Sequence, residues 1–256
     1  MIKFKANGEK YTCPTSWADI TFKQWKQLKS TKDDLEIISI LSGIPSDIIK
    51  RISERSILKL SLAVSFISRP LDIEKYLPPE EIEISKGVKF PFVKDIKGKT
   101  YGQKIYFQHF LSNNKEDEAK IIEESVLIYA EPYLTGKEFN ISKLSELKNT
   151  LDNLFFVDLY SIAINYSDQL KKILETEREE LKTEPTDEQN AAGLEMFSRF
   201  GVMNTIKALA GNNILNYDKV LLIEYNTVFI HLLLNKTEGI YQDNYRKILE
   251  QKQKRK

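Results

Sequence analysis

Thr21-Phe22-Lys23-Gln24 and Thr100-Tyr101-Gly102-Gln103 are the same short signature written twice in one chain. Each follows a short approach, Ala18-Asp19-Ile20 in the first case and Ile96-Lys97-Gly98-Lys99 in the second. Each leads on to a charged stretch that opens a helix, Asp33-Asp34-Leu35-Glu36-Ile37-Ile38 or Glu116-Asp117-Glu118-Ala119-Lys120-Ile121-Ile122. The recurrence reads as an internal duplication of a helical unit. Duplicated helical units with no catalytic constellation beside them describe a scaffold that recognises other proteins.

Working outward, residues 2–13 alternate apolar and polar around Asn7-Gly8, the pattern of a short hairpin. From Trp17 the period becomes helical. Phe22, Trp25 and Leu28 share a face behind Asp19 or Thr21 as N-cap; Leu35, Ile38 and Leu41 share one behind Asp33. Gly43 closes that helix, Pro45 opens the next, and Ser56 caps a fourth whose stripe Ile57, Leu60, Val64 and Ile67 ends before Pro70. Between 80 and 110 the period returns to two: Ile82, Ile84, Val88, Phe90 and Phe92 alternate with polar residues around Lys86-Gly87, and Ile105 and Phe107 are expected to pair with them. A helix is expected from Glu116 to Tyr129, stopped by Pro132. A long, strongly apolar stretch follows from Leu144 to about Leu181, then an apolar helix from Val220 to Leu234 and a basic helix end from Tyr241 to Lys256. The expected class is mainly α (α+β), two helical subdomains with an inserted small antiparallel β region. The expected spans are 1–75, 76–112, 113–181 and 182–256.

Composition excludes several functions. At 256 residues with 41% hydrophobic content the chain can bury a core, and 38 basic against 37 acidic side chains give a net charge of +1. That balance removes the global attraction a duplex-binding or membrane-surface protein normally shows. The N-terminal Met1-Ile2-Lys3-Phe4-Lys5 passes into polar residues, so neither a signal peptide nor a membrane anchor is expected. Cys13 is the single cysteine and reads as a packed thiol. His109 and His231 read as packed structural histidines, because neither has a carboxylate or Cys partner at helical or strand spacing. One Cys and two distant His make no zinc site, no phosphate loop occurs, and Lys97–Gly102 reads as a hairpin turn. No enzyme activity, cofactor or metal is expected.

Trp17, Trp25, Tyr101 and Phe107 are the candidate interface side chains, since Trp and Tyr beside polar neighbours are favoured anchors; core packing is the competing reading for Trp17, Trp25 and Tyr101. Lys252, Lys254, Arg255 and Lys256 are the candidate nucleic-acid contacts, against a solvated helix end whose cations complement the dipole. The stretch 175–190, with seven acids and two bases, reads as a solvated helix end and linker.

The order Trp17-x-Asp19-Ile20-Thr21-Phe22-x-Gln24-Trp25, Leu35–Gly43, then Thr100-Tyr101-Gly102-Gln103 resembles small helical proteins encoded among the virion-morphogenesis genes of tailed bacteriophages, including crAss-like phages of Bacteroidetes hosts. So does Phe200–Ala210 with the Val220–Lys236 helix after it. The matching motifs are packing patterns, so no catalytic residue is carried over. The resemblance implies a structural or assembly protein of the portal, neck or tail region, present in multiple copies, whose partners are other phage structural proteins. It implies location in the host cytoplasm during assembly and then in the virion, with no membrane. A tail-assembly chaperone that leaves before maturation, and a nucleic-acid-handling accessory protein using the basic tail, are the two alternatives.

Overall fold

The computed structural model describes residues 1–254. The chain is mainly helical with two small antiparallel hairpins. In order it forms β1 (Ile2–Ala6), β2 (Glu9–Cys13), α1 (Phe22–Leu28), α2 (Asp34–Ser42), α3 (Ser46–Ile49), α4 (Glu54–Val64), β3 (Glu81–Ser85), β4 (Val88–Pro91) and α5 (Tyr101–Asn113). It continues through α6 (Glu118–Thr135), α7 (Phe156–Leu181), α8 (Asp187–Ala191), α9 (Val202–Leu209), α10 (Tyr217–Leu222) and α11 (Tyr225–Lys254). These elements form two compact units, each discontinuous in sequence. One comprises Met1–Phe92 with Asn114–Tyr166; the other comprises Val93–Asn113 with the chain from Ser167 on. The four consecutive spans expected from the sequence do not follow this division, because residues 93–113 pack with the C-terminal part of the chain.

The first unit begins with the β1–β2 hairpin, in which Ile2 faces Cys13 and Ala6 faces Glu9. Its turn requires positive φ at both central residues, and Asn7 (+50°) and Gly8 (+83°) supply it. Asp33 caps α2 through its Oδ1, which accepts from the N–H groups of Leu35 (2.8 Å) and Glu36 (2.9 Å). Gly43, at φ +71°, ends it. The fourth helix starts at Glu54 behind Ser53, one turn earlier than the Ser56 cap expected from the sequence.

The central aromatic cluster of this unit stacks Trp25 on Phe156 (centroids 4.5 Å apart) and on Phe22 (5.7 Å). Tyr129 of α6 meets Tyr166 of α7 edge-on at 4.8 Å, and Phe92 stacks on Tyr166 at 5.7 Å. Helix α6 runs through Pro132, where the sequence implied a stop, and ends at Gly136 with φ +65°. Its fully buried run Val126–Ala130 outweighs the backbone bond that a proline in the last turn forgoes.

Two further expectations are corrected. Strand character between 80 and 110 is confined to 81–91, and Ile105 and Phe107 lie in helix α5 instead. Thr100 and Gln103 form reciprocal bonds at its N-terminus: Gln103 N–H donates to Thr100 Oγ1 (3.2 Å) and Thr100 N–H to Gln103 Oε1 (3.1 Å). That pair satisfies two helix-end donors and fixes the helix, so the local alternation from 105 does not decide the state. The apolar run from 220 is not one helix either. It breaks at Ile223 and Glu224, where the chain turns extended between α10 and α11.

Trp25 is buried against two rings, so Trp25→Ala should lower the stability of the first unit by about 3–5 kcal/mol, the usual cost of emptying a large aromatic site. Chemical denaturation of the full chain measures it, and a loss below about 1 kcal/mol would contradict the packing described.

Candidate interaction surfaces

The duplicated signature is the anchor of each unit, and its two copies have the same geometry. In the first unit a 3-10 turn, Trp17–Asp19, leads to Thr21, which pairs antiparallel with Phe155. Phe22 N–H donates to Leu154 O (2.8 Å) and Phe156 N–H to Ile20 O (2.9 Å). In the second unit the 3-10 turn Ile96–Gly98 leads to Thr100, which pairs antiparallel with Glu224. Tyr101 N–H donates to Ile223 O (2.7 Å) and Tyr225 N–H to Lys99 O (2.8 Å). Thr21 and Gln24 form the same reciprocal cap as Thr100 and Gln103. A two-bond bridge thus ties the start of a short helix to the start of a long one, twice.

Side chains at matching positions differ in chemistry. Where Trp25 stacks on Phe156, Lys104 places its ammonium 5.5 Å from the Tyr225 ring centre and binds both carboxylate oxygens of Glu177 at 2.7 and 2.8 Å. An aromatic stack in one unit is a partly buried ion pair over an aromatic face in the other. Lys23 has Gly102 as its counterpart. A Cβ on Gly102 would lie 3.0 Å from Leu221 O, so the close approach of α5 to α10 needs glycine.

The candidate anchors fall mostly inside the units. Trp25, Tyr101 and Phe107 are buried and spend their surface on intramolecular packing, which corrects the interface reading of these three. Trp17 alone keeps surface. It contacts Phe66 and Phe156 and lines a cleft of about 390 Å³ with Trp25, Phe156, Tyr160, Glu118 and Arg69. Glu118 in that cleft is held by Lys29, whose ammonium also sits 4.7 Å from the Trp25 ring centre. Of the candidate nucleic-acid contacts, Lys252 is exposed at the end of α11; Arg255, Lys256 and the side chain of Lys254 lie outside the described residues.

Neither histidine is packed, contrary to expectation. His109 is exposed and within hydrogen-bonding distance of Asn113 Nδ2, and His231 is exposed on α11. Cys13 is fully buried, and burial pushes its thiol up to about 11. Among the described residues no group of three His, Cys, Asp or Glu is placed to hold a metal, and no helix is long and apolar enough to cross a membrane.

Sequence reasoning missed the most extensive exposed feature. Of the 25 large hydrophobic side chains exposed among the described residues, 17 lie between Leu194 and Leu249. Thirteen of them form two groups. One is the 3-10 stretch Leu194–Phe200 with the start of α9, presenting Met196, Phe197, Phe200 and Met203. The other is α11, presenting Ile230, Leu234, Ile240, Tyr241, Tyr245 and Ile248. The 175–190 stretch, expected to be solvated, is half-buried or exposed throughout, and a small helix, α8, opens behind Thr186.

Comparison with known proteins finds no family model that matches the chain, and no curated protein or solved structure similar to it.

Burial raises the phenol of Tyr101 to about 12, helped by the charge of Glu177, and burial likewise pushes Tyr129 and Tyr225 up. A phenol whose folded value lies above its unfolded value of about 10 contributes its stability below that pH and loses it as pH rises toward the folded value. Stability is therefore expected to fall between about pH 10 and 12, Tyr101 alone withdrawing roughly 3 kcal/mol. Denaturant midpoints measured across that range, with phenolate absorbance followed in parallel, check this; ionisation of all tyrosines near pH 10 without loss of structure would contradict it.

Proposed function

We propose that this chain is a non-enzymatic assembly protein that works through protein–protein contacts made by its second unit. The observation that carries the reading is the concentration of exposed apolar side chains between Leu194 and Leu249, far beyond the scattered single exposures of an ordinary surface. Aromatic and Met side chains such as Phe197, Phe200 and Met196 are the types that dominate protein interfaces. The region mixes both signs of charge, which favours a protein partner over a nucleic acid.

The resemblance of the Trp17–Trp25, Leu35–Gly43 and Phe200–Ala210 patterns to virion-morphogenesis proteins of tailed bacteriophages gives the setting: a multi-copy component of the portal, neck or tail, whose partners are other structural proteins of the particle. The duplicated module suits that setting, since a repeated scaffold presents equivalent surfaces without a catalytic centre. A chaperone that shields an aggregation-prone tail component would use the same exposed surface transiently.

Mass-spectrometric quantification of purified particles against infected cells tests the proposal. The protein is expected in the particles in multiple copies. Abundance in cells with none in particles would replace the structural role with the chaperone one. Partner capture that survives Phe197→Glu together with Phe200→Glu and Tyr241→Glu would remove the second unit's surface as its basis.

A further inference from the structure

Helix α4, in the first unit, carries a one-sided charge on its outer face. Its inner face is Leu60 and Val64, both buried, whereas Leu58 and Leu62 on the outer face are 61% and 66% exposed. These two leucines stand one turn apart and form a short apolar ridge. Arg55 and Lys59, also one turn apart and exposed, run along one flank of the ridge; Glu54 and Ser61 stand on the other. Between Ile48 and Leu71 the charged residues are Lys50, Arg51, Arg55, Lys59 and Arg69 against Glu54, five bases and one acid, all exposed. Among the described residues none of the five bases has an ion-pair partner. The nearby Asp19 is already engaged, its Oδ2 accepting from Thr15 N–H (3.1 Å) and Ser16 Oγ (3.1 Å). In a chain whose net charge is only +1, this stretch is a concentrated and unspent positive patch.

The relief beside the ridge is of side-chain size. On the basic flank a hollow of about 360 Å³ lies against Lys59, Leu62, Phe66 and Arg69, with Ile2 and Thr15 across from them. On the other flank a hollow of about 530 Å³ lies against Glu54, Arg55, Ile57, Leu58 and Ser61.

Charge selects the occupant. A second copy laid face to face would bring two positive flanks together, and like charges opposed across an interface cost affinity. A helix that lies in a membrane surface has a broad apolar face below a basic one, but here the apolar face is two leucines and one of its flanks carries an acid. A phosphate backbone gains nothing from the leucine ridge. A helix with carboxylates along one edge of its own apolar face meets both the ridge and the cations.

We infer that the outer face of α4, with the 3-10 turn Ser65–Ser68 and Arg69 after it, is a docking surface for an acidic amphipathic helix of another protein. The apolar side chains of that helix pack beside Leu58 and Leu62 and into the hollow under Lys59, and its carboxylates meet Arg55, Lys59 and Arg69. The surface belongs to the first unit and does not depend on the exposed face of the second.

Fluorescence anisotropy of a labelled synthetic helix, titrated with the full chain, tests this. The probe is about 20 residues long, with leucines on one face and glutamates along one edge of it; a second probe has glutamine at every glutamate. The glutamate helix should bind, and its affinity should fall several-fold when salt rises from about 0.05 to about 0.15 M. Arg55→Gln/Lys59→Gln should weaken it by about fivefold or more, and Leu58→Ser/Leu62→Ser should weaken it as well. All four positions are exposed, so both variants should keep the circular dichroism and denaturation midpoint of the wild type. Phe197→Glu, in the second unit, should leave binding unchanged. No binding of the glutamate helix, equal binding of the glutamine helix, or binding that ignores both α4 variants overturns the inference. Phosphatidylglycerol vesicles or a DNA oligonucleotide held through Arg55 and Lys59, with neither helix bound, would replace the protein partner by a membrane or a nucleic acid. Concentration-dependent sedimentation that Arg55→Gln/Lys59→Gln abolishes, again with neither helix bound, would replace it by a second copy. Each of these failures leaves the second unit's surface untouched, because that surface is tested by Phe197, Phe200 and Tyr241.

Discussion

A pair of backbone hydrogen bonds across an isolated antiparallel bridge is the constraint on which both units depend. Ile20 and Leu154 in one unit, and Lys99 and Ile223 in the other, offer carbonyls to the first residues of the helices opposite them. The N–H groups at a helix start have no partner within the helix, so each bridge satisfies donors that would otherwise face the interior unpaired. The Thr-x-x-Gln cap satisfies two more at the same point. Because these bonds join segments remote in sequence, they fix which chain stretches belong together, and the discontinuity of both units follows from them.

Side-chain packing then elaborates each bridge differently. The first unit surrounds its bridge with rings, Phe22, Trp25 and Phe156, and covers the start of α7 with α6 through Tyr129 and Tyr166. The second unit sets the Lys104–Glu177 pair against Tyr225 and brings Gly102 against Leu221. Conserving backbone geometry while exchanging a stack for an ion pair leaves the second unit less apolar at its centre. Part of its apolar surface lies outward, on the Leu194–Phe200 stretch and on α11.

Much of this was legible in the residues. The repeated Thr-x-x-Gln drew attention to both anchors, and Asn7-Gly8 and Gly87 marked both hairpins, because caps and positive-φ turns are set by local chemistry. Locality also limited the reading. Ile105 and Phe107 alternate like a strand, and only the cap at Thr100 makes them helical. Pro132 reads as a stop, and only the burial of Val126–Ala130 carries the helix past it. The break at Ile223 depends on Thr100, far away in sequence. For the site, Trp25 and Tyr101 have the composition of interface anchors, but burial is a property of the assembled unit and turned both inward. The bare face of α11 was illegible for the same reason: a sequence lists apolar positions without saying which of them find cover.

Hydrogen–deuterium exchange of the full chain tests the central claim most directly, because an amide held in a bridge and one left free differ in protection. The amides of Phe22 and Phe156 in the first unit, and of Tyr101 and Tyr225 in the second, should exchange as slowly as the buried helical amides of their own units. Fast exchange at these four positions, with the rest of each unit still protected, would contradict the dependence of the two units on their bridges.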